Sequence, residues 1–387
     1  MYDKSNNTLS ALISPSLYEG GVGIHTFELK FKLGSQENFK QLRDQFFKMS
    51  GTDTECGIVH IWSDDKIVNG EKYRFTFGDA FRGYFCSKPY QWLTLIINPR
   101  TLIGDSNLFG NSALNPDECA LLQDTLDSIF KRFGFPFSLN GFSLSRVDLC
   151  ANLSFSIPNV TRTLIKALKK TPWKTSFHSI TFQGNDKETH KRNAHSFMIA
   201  SEEEGIKIYD KKFEQMLRGN AAPDGLIELM RLEVSLSRSA IVDTFSSFGI
   251  DINKLNEIHR QLSVLFENSY YIMLKKLEKV FPSGIYLPKQ ALMDKIRNAP
   301  FNREVKEDMF FIVDSLSHCR VAGKAHDRIT SLLRLSHPST ERYYYELMQR
   351  FKSLGVQPAP LAKEDFPMLP SPADLLICAH ENTVSET

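Results

Sequence analysis

The chain has 387 residues, 42% of them hydrophobic and 24% charged. That is enough apolar material for a real core and, at ~150 residues per domain, for two or three domains; it excludes a disordered, collagen-like or low-complexity protein. Lys and Arg number 47 against 45 Asp and Glu, a formal charge of +2, so any case for a polyanionic partner has to be local.

The 6 Cys are scattered without paired spacing, which reads as a reducing compartment without structural zinc. The start MYDKSNNTLS has no apolar h-region, and the longest apolar run, Leu93 to Ile97, is far short of the roughly 18 residues of a membrane span. The expectation is a cytoplasmic protein with no membrane contact.

Along the chain, residues 24–33 alternate through Ile24, Phe27, Leu29, Phe31 and Leu33, and Ser35 then caps a helix carrying Phe39, Leu42, Phe46 and Met49, closed by Gly51. Short β-like runs follow: GIVHIW, KYRFTF beyond an Asn69-Gly70 turn, RGYFC and QWLTLII. Asn115 and Pro116 open a second helix through Cys119, Leu122, Leu126, Ile129 and Phe133, ended by Gly134. The order then starts again. A strand at 143–155 precedes a helix at 160–170 and β-like runs near 177–183, 194–200, 205–213 and 227–237. This predicts an α+β antiparallel-sheet domain of pseudo-duplicated strand-helix-hairpin units, bounded at 1–245. From 252 the apolar spacing is helical, with further helices at 304–317, 324–335 and 339–353. A C-terminal helical domain is expected over 250–355, and the Pro-rich stretch QPAPLAKEDFPMLPSP predicts a flexible tail at 356–387.

Three strands carry functional groups on one face. In LSRVDLCANLSF, Arg146, Asp148, Cys150 and Asn152 oppose Val147, Leu149, Ala151 and Leu153; Lys207, Tyr209 and Lys211 oppose Ile206 and Ile208; Arg231, Glu233 and Ser235 oppose Leu232, Val234 and Leu236. A sheet with one wet face gives such alternation automatically. The residue types are nonetheless complementary: Asp148 and Glu233 can hold a hard divalent cation, and Arg146, Lys207, Lys211 and Arg231 are cations around one phenol. A Tyr is a poor nucleophile unless cations favour its phenolate, and Lys207 and Lys211 flank Tyr209 on the same strand face. The set fits phosphoryl transfer through a covalent tyrosine, with charge on the phosphate neutralised by Arg or by Mg²⁺. A cross-strand packing role is the alternative for Tyr209. No His-x-His, His-Glu-x-x-His, Cys-x-x-Cys or Walker A loop occurs, so zinc hydrolysis and ATPase function lack support.

These runs, together with Asn98, Pro99, Gly104, Asn107 and Gly110 in INPRTLIGDSNLFG and Tyr209, Lys211 and Glu214 in the Tyr-x-Lys-x-x-Glu run, resemble the replication initiators of filamentous phages and rolling-circle plasmids. The resemblance is to the phage gene II/X replication proteins and the related plasmid Rep_trans class, over about 90–240. It implies a site-specific nicking and rejoining endonuclease in which Tyr209 keeps the 5′-phosphate and a free 3′-OH primes synthesis. It also implies Asp148, Glu233 and, ranked lower, Glu214 as ligands of Mg²⁺ or Mn²⁺, with Lys211 and Arg231 stabilising phosphate. Asn152 departs from the pattern, since relatives often carry a second acid there. A conjugative relaxase of the same chemistry and a non-catalytic DNA-binding regulator are the rival readings.

Residues 162–193 concentrate positive charge: Arg162, Lys166, Lys169, Lys170, Lys174, Lys187, Lys191 and Arg192 against Asp186 and Glu188. With Trp173, Phe177 and Phe182 interleaved, this reads either as a groove for melted DNA or as a solvated helix face over core aromatics. The segment 323–355 reads as two helices, the second capped by Ser339 or Thr340, which is either a helix-turn-helix with Arg342, Tyr343 and Gln349 toward duplex DNA or a supporting bundle. The expected partners are origin DNA, double-stranded and melted, the host replication machinery and a second copy in a homodimer.

Overall fold

In a computed structural model the described residues are Ile13 and 15–386, apart from 54–56, 65–69, 88–90, 105–115, 133, 136–138, 173–175, 319–328, 330–339 and 363–365. A sheet of ten strands dominates, in the order β2-β3-β4-β5-β1-β6-β10-β9-β8-β7. The first half comprises β1 (Ser16–Lys32), β2 (Val59–Ser63), β3 (Lys72–Phe77), β4 (Phe81–Cys86) and β5 (Trp92–Ile97). The second comprises β6 (Ser143–Phe155), β7 (His178–Ser179), β8 (Ser196–Ala200), β9 (Glu204–Asp210) and β10 (Glu228–Ser237). In each half a long strand enters, a helix crosses, and four strands meander back until the last lies beside the first. β1 and β6 then pair antiparallel at the centre. The strand-helix-hairpin repetition expected from the sequence is therefore a repetition of topology.

The crossing helices form for local reasons. Helix α1 (Gln36–Met49) starts where the Ser35 side chain accepts from the Asn38 backbone N–H at 3.1 Å, and it buries Phe39, Leu42, Phe46 and Met49. The Phe46 ring meets Phe75 at 4.2 Å and Phe85 at 5.4 Å, holding the helix on the apolar face of β3 and β4. After β5, Asn98 precedes the short α2 (Pro99–Leu102), with Pro at its first position, and α3 (Pro116–Arg132) buries Cys119, Leu122, Leu126 and Phe130. The matching helix of the second half, α4 (Val160–Leu168), lies on the apolar side of β9 and β10 with Val160, Leu164, Ile165 and Leu168 buried. Asn69, Asn107, Gly110, Asn115 and Phe133 lie outside the described residues.

Several expectations needed correction. The run 177–183 is only the two-residue β7, and 187–194 is a helix, α5 (Lys187–Ala194), opened by Asp186 capping Thr189. Strand β9 ends at Asp210, whose side chain accepts from the Phe213 N–H at 2.8 Å and starts α6 (Lys211–Leu217). Helix α7 (Arg238–Ser247) follows β10.

The boundary expected at 250 does not divide the core. Helices α8 (Ile258–Glu267) and α9 (Ser269–Val280) bury Ile258, Leu262, Leu265, Met273 and Leu277 in the same apolar core as the sheet. A second core begins only at Leu287 and joins α10 (Lys289–Arg297), α11 (Arg303–His318) and α12 (Thr340–Ser353). The expected flexible tail is a structured element. Val356 bridges back to Ile285, and Leu369–Pro370 (β12) pairs with Ile285–Tyr286 (β11). Helix α13 (Pro372–Glu386) buries Leu375, Leu376 and Ala379 in the first core, and its Asn382 donates to the Pro15 carbonyl at 2.8 Å. Proline punctuates this segment, but its apolar residues complete the covering of β1. Among the described residues no helix is long and apolar enough to cross a membrane.

Candidate active site on the sheet

Cross-strand register brings the three functional strands into one patch. Arg231 on β10 lies opposite Tyr209 on β9 and Asn152 on β6, and Glu233 lies opposite Lys207 and Cys150. Directly opposed residues share a face of the sheet, so Tyr209, Arg231 and Asn152 form one row and Lys207 and Glu233 the next. Asp148 faces Ser235, one step diagonal from Glu233.

The Tyr209 hydroxyl donates to Glu233 Oε1 at 2.7 Å, and Lys207 Nζ donates to Glu233 Oε2 at 3.1 Å. Arg231 is 1% exposed and gives its Nε–H to Asn152 Oδ1 at 2.6 Å. A neutral amide thus serves as acceptor at the position where the resemblance leads one to expect an acid. Arg146 holds both oxygens of Asp148, at 2.8 and 2.7 Å, and Thr26 donates to the same carboxylate at 3.1 Å.

Two expected roles change. Lys211 does not flank Tyr209 on the strand; the chain has already turned, and Lys211 opens α6, where its buried amine donates to Glu214 Oε2 at 2.8 Å. Glu214 thereby enters the cluster through Lys211, and Gln215 and Arg218 also engage it. Nor do the lysines stabilise a phenolate. Burial and the adjacent Glu233 raise the Tyr209 hydroxyl well above its ordinary range, so it rests protonated. Burial works against the Glu233 carboxylate too, but His25, Lys207, Arg231 and the Tyr209 hydroxyl outweigh it and hold the group at about 2. Burial and Arg231 bring the Lys211 ammonium down to about 8, with Glu214 opposing.

His25 joins the site from the central strand. The register of β1 against β6 slips between Ile24 and Thr26, and this bulge places His25 Nε2 3.6 Å from Glu233 Oε1 and 3.5 Å from Arg231 Nη1. Burial and Arg231 lower the imidazole to about 4, so it is neutral near pH 7, and its Nδ1 is buried without a hydrogen-bond partner. Sequence reasoning missed this residue. The signal was present in the apolar spacing of β1, which steps by three from Ile24 to Phe27 before settling into twos.

As arranged, the donors do not form a cation site. Protein donors occupy both oxygens of Asp148 and of Glu233, and among the described residues no three His, Cys, Asp or Glu gather closely enough to hold a metal ion.

The basic segment is divided between places. Lys166 and Arg162 are exposed on α4, which covers the apolar side of the sheet, opposite Tyr209. Lys169 is spent tying α4 to the Asn193 carbonyl. Lys191 and Arg192 lie on α5, where Arg192 pairs with Glu188 and sits 5.9 Å over the exposed Phe182 ring. Phe177 is core; Trp173 and Lys174 lie outside the described residues, and Lys170 stays half-buried at the end of α4. On α12, Arg342 is exposed and pairs with Glu346 at 3.1 Å, whereas Tyr343 donates to Asp308 of α11 at 2.6 Å. Tyr344, Leu347 and Phe351 form the packed stripe expected of them. Ser339 and the preceding helix expected at 324–335, Ile329 apart, lie outside the described residues.

No protein-family model matches this chain, and no curated protein matches it significantly. Among solved structures the chain is similar to a rolling circle replication initiator protein from Geobacillus stearothermophilus, at a TM-score of 0.28 and 11% identity, over 74% of this chain and 90% of that one. A likeness of that degree carries no weight for function, which has to be read from the sheet face and its residues.

Proposed function

We propose that this protein nicks and rejoins DNA to initiate rolling-circle replication, with Tyr209 as the nucleophile. The observation that carries the reading is Tyr209, a half-buried residue whose hydroxyl lies 2.7 Å from a buried carboxylate, with a buried Arg231 beside it in the same row of the sheet.

The steps balance without a co-reactant. The Tyr209 oxygen attacks the scissile phosphorus and its proton passes to Glu233. The bond from phosphorus to the 3′ oxygen breaks, and that oxygen takes a proton from Lys211, whose ammonium is brought to about 8. The products are a 5′-phosphotyrosine and a free 3′-OH, and the reverse sequence rejoins the strand. Arg231, always charged, and Lys207 neutralise the phosphorane oxygens as charge gathers there. Arg146 and Asp148 hold the neighbouring strand and supply no step. The expected Mg²⁺ or Mn²⁺ enters no step of this scheme; nicking measured with and without EDTA tests that expectation directly.

The raised Tyr209 hydroxyl favours a second reading, a non-catalytic DNA-binding regulator on the same fold. Supercoiled origin plasmid separates the two. The nicking reading expects nicked circles carrying protein on the 5′ end, mapped by mass spectrometry to Tyr209 and absent from Tyr209→Phe. An adduct that survives in Tyr209→Phe overturns the assignment, and mobility shifts with no adduct at all favour the regulator.

A further inference from the structure

The face that carries Tyr209 continues across the centre of the sheet into the N-terminal half. Thr26 opposite Asp148 and Glu28 opposite Arg146 carry it from β6 to β1. From β1 one row runs Lys30, Thr94, Tyr84, Arg74, Trp62 across β5, β4, β3 and β2, and the next runs Glu28, Ile96, Arg82, Thr76, His60. Lys32 opposite Trp92 lies on the same face. The apolar side of these strands is taken by Phe75, Phe77, Phe85 and α1, so this side is turned outward.

Its composition is unlike an ordinary wet sheet face. Three aromatic rings, Trp62, Tyr84 and Trp92, stand among five cations, Lys30, Lys32, Lys72, Arg74 and Arg82, against two carboxylates, Glu28 and Asp64. Trp62 is 45% exposed. Lys72 sits 4.6 Å over the Tyr84 ring, and Lys72 and Arg74 share Asp64. Arg82 and Lys32 are exposed. Lys30 pairs with Glu28 at 3.4 Å, so the positive excess rests on Lys32 and Arg82. Aromatic rings beside such an excess are what a strand with unpaired bases needs: stacking for the bases and positive charge for the phosphates. A duplex hides its base faces and gains nothing from the rings.

We propose that the outward face of β1–β5 is a platform for a single DNA strand, which lies across the sheet and leads to Tyr209. The proposal rests on the nicking reading for its choice of DNA, and the rings and charges carry the binding. β1 stands three places and β2 seven places from β9 in the sheet order; at about 4.8 Å per strand the platform begins roughly 14 Å from the nucleophile and ends roughly 34 Å from it.

The test is fluorescence anisotropy with a labelled oligothymidine of about twelve nucleotides, within the roughly 4–16 nucleotides such sites occupy. Trp62→Ala combined with Arg82→Glu should weaken binding at least tenfold at physiological salt and flatten its salt dependence, while Trp62→Phe keeps most of the affinity. These side chains are exposed, and thermal melting checks that the variants fold as wild type does. Binding of the double variant within twofold of wild type overturns the platform. So does an equal loss on duplex of the same length, or tighter binding of oligouridine than of oligothymidine. The adduct assay on wild type is run in parallel. Adduct formation with unaffected variant binding removes the platform and leaves the nicking reading; platform-dependent binding with no adduct does the reverse.

Discussion

Glu233 is the residue on which the site turns, since Tyr209, Lys207 and His25 all address its carboxylate. Glu233→Gln keeps the shape and the hydrogen bond but removes the proton acceptor. Single-turnover nicking should fall about 10²- to 10⁴-fold, the usual worth of a general base, with oligonucleotide affinity little changed. His25 sets a pH dependence of stability. Its imidazole is lowered to about 4 in the folded protein, against ~6.5 in the unfolded chain. The unfolded state therefore takes up a proton first as pH falls. The associated stability is complete above ~6.5 and lost on the way down through about 4. Melting temperature should drop by several degrees over that window, and His25→Asn should flatten the curve. Glu233, held at about 2, adds a further loss only below ~4.3, the ordinary Glu value.

Among the elements, α13 is the one whose removal should reveal most. Leu375 and Leu376 are fully buried and the helix lies against β1, the strand that carries His25. Leu376→Ala should cost about 2–5 kcal/mol in denaturant unfolding, the range for buried Leu truncation. Wild-type stability in that variant would show that the helix is not part of the core. The junction of β9 and α6 matters in a different way. Asp210 caps α6 and bonds His195 at 3.1 Å, while the His195 ring stacks on Phe213 at 3.7 Å. These contacts end the strand directly after Tyr209, which is why Lys211 and Glu214 approach the site from a helix. Alternation in the sequence cannot announce that change of period. Asp-x-x-Phe is a short capping pattern, and the apolar positions on either side fit strand and helix alike.

At the scale of the whole chain, the helical unit α10–α12 is inserted between two pieces of the sheet core. Its entry and exit meet: Ile285 N–H donates to the Gly355 carbonyl at 3.0 Å and Gln357 N–H to the Ile285 carbonyl at 2.9 Å. Replacing 288–354 by a short Gly-Ser link should leave a sheet domain that melts cooperatively and still forms the Tyr209 adduct. Loss of cooperative melting would show that the two cores depend on each other. Loss of the adduct alone would place a required contact on the helices.

Residue order was enough to read the paired half-sheets, because strand alternation and helical spacing are local consequences of which side chains are apolar. It was also enough to put Arg146, Asp148, Tyr209, Arg231 and Glu233 on the polar side of their strands, since a period of two assigns each residue a face; it did not show that Asp148, Arg231 and Glu233 are buried there. Register was beyond it. Tyr209 meets Glu233 and not Asp148 because of how β9, β10 and β6 align, and that alignment comes from packing across the sheet rather than from any one strand. The same holds for His25, delivered by a bulge in a strand far away in the chain, and for the tail, whose scattered apolar residues acquire a purpose only where β1 leaves a surface to be covered.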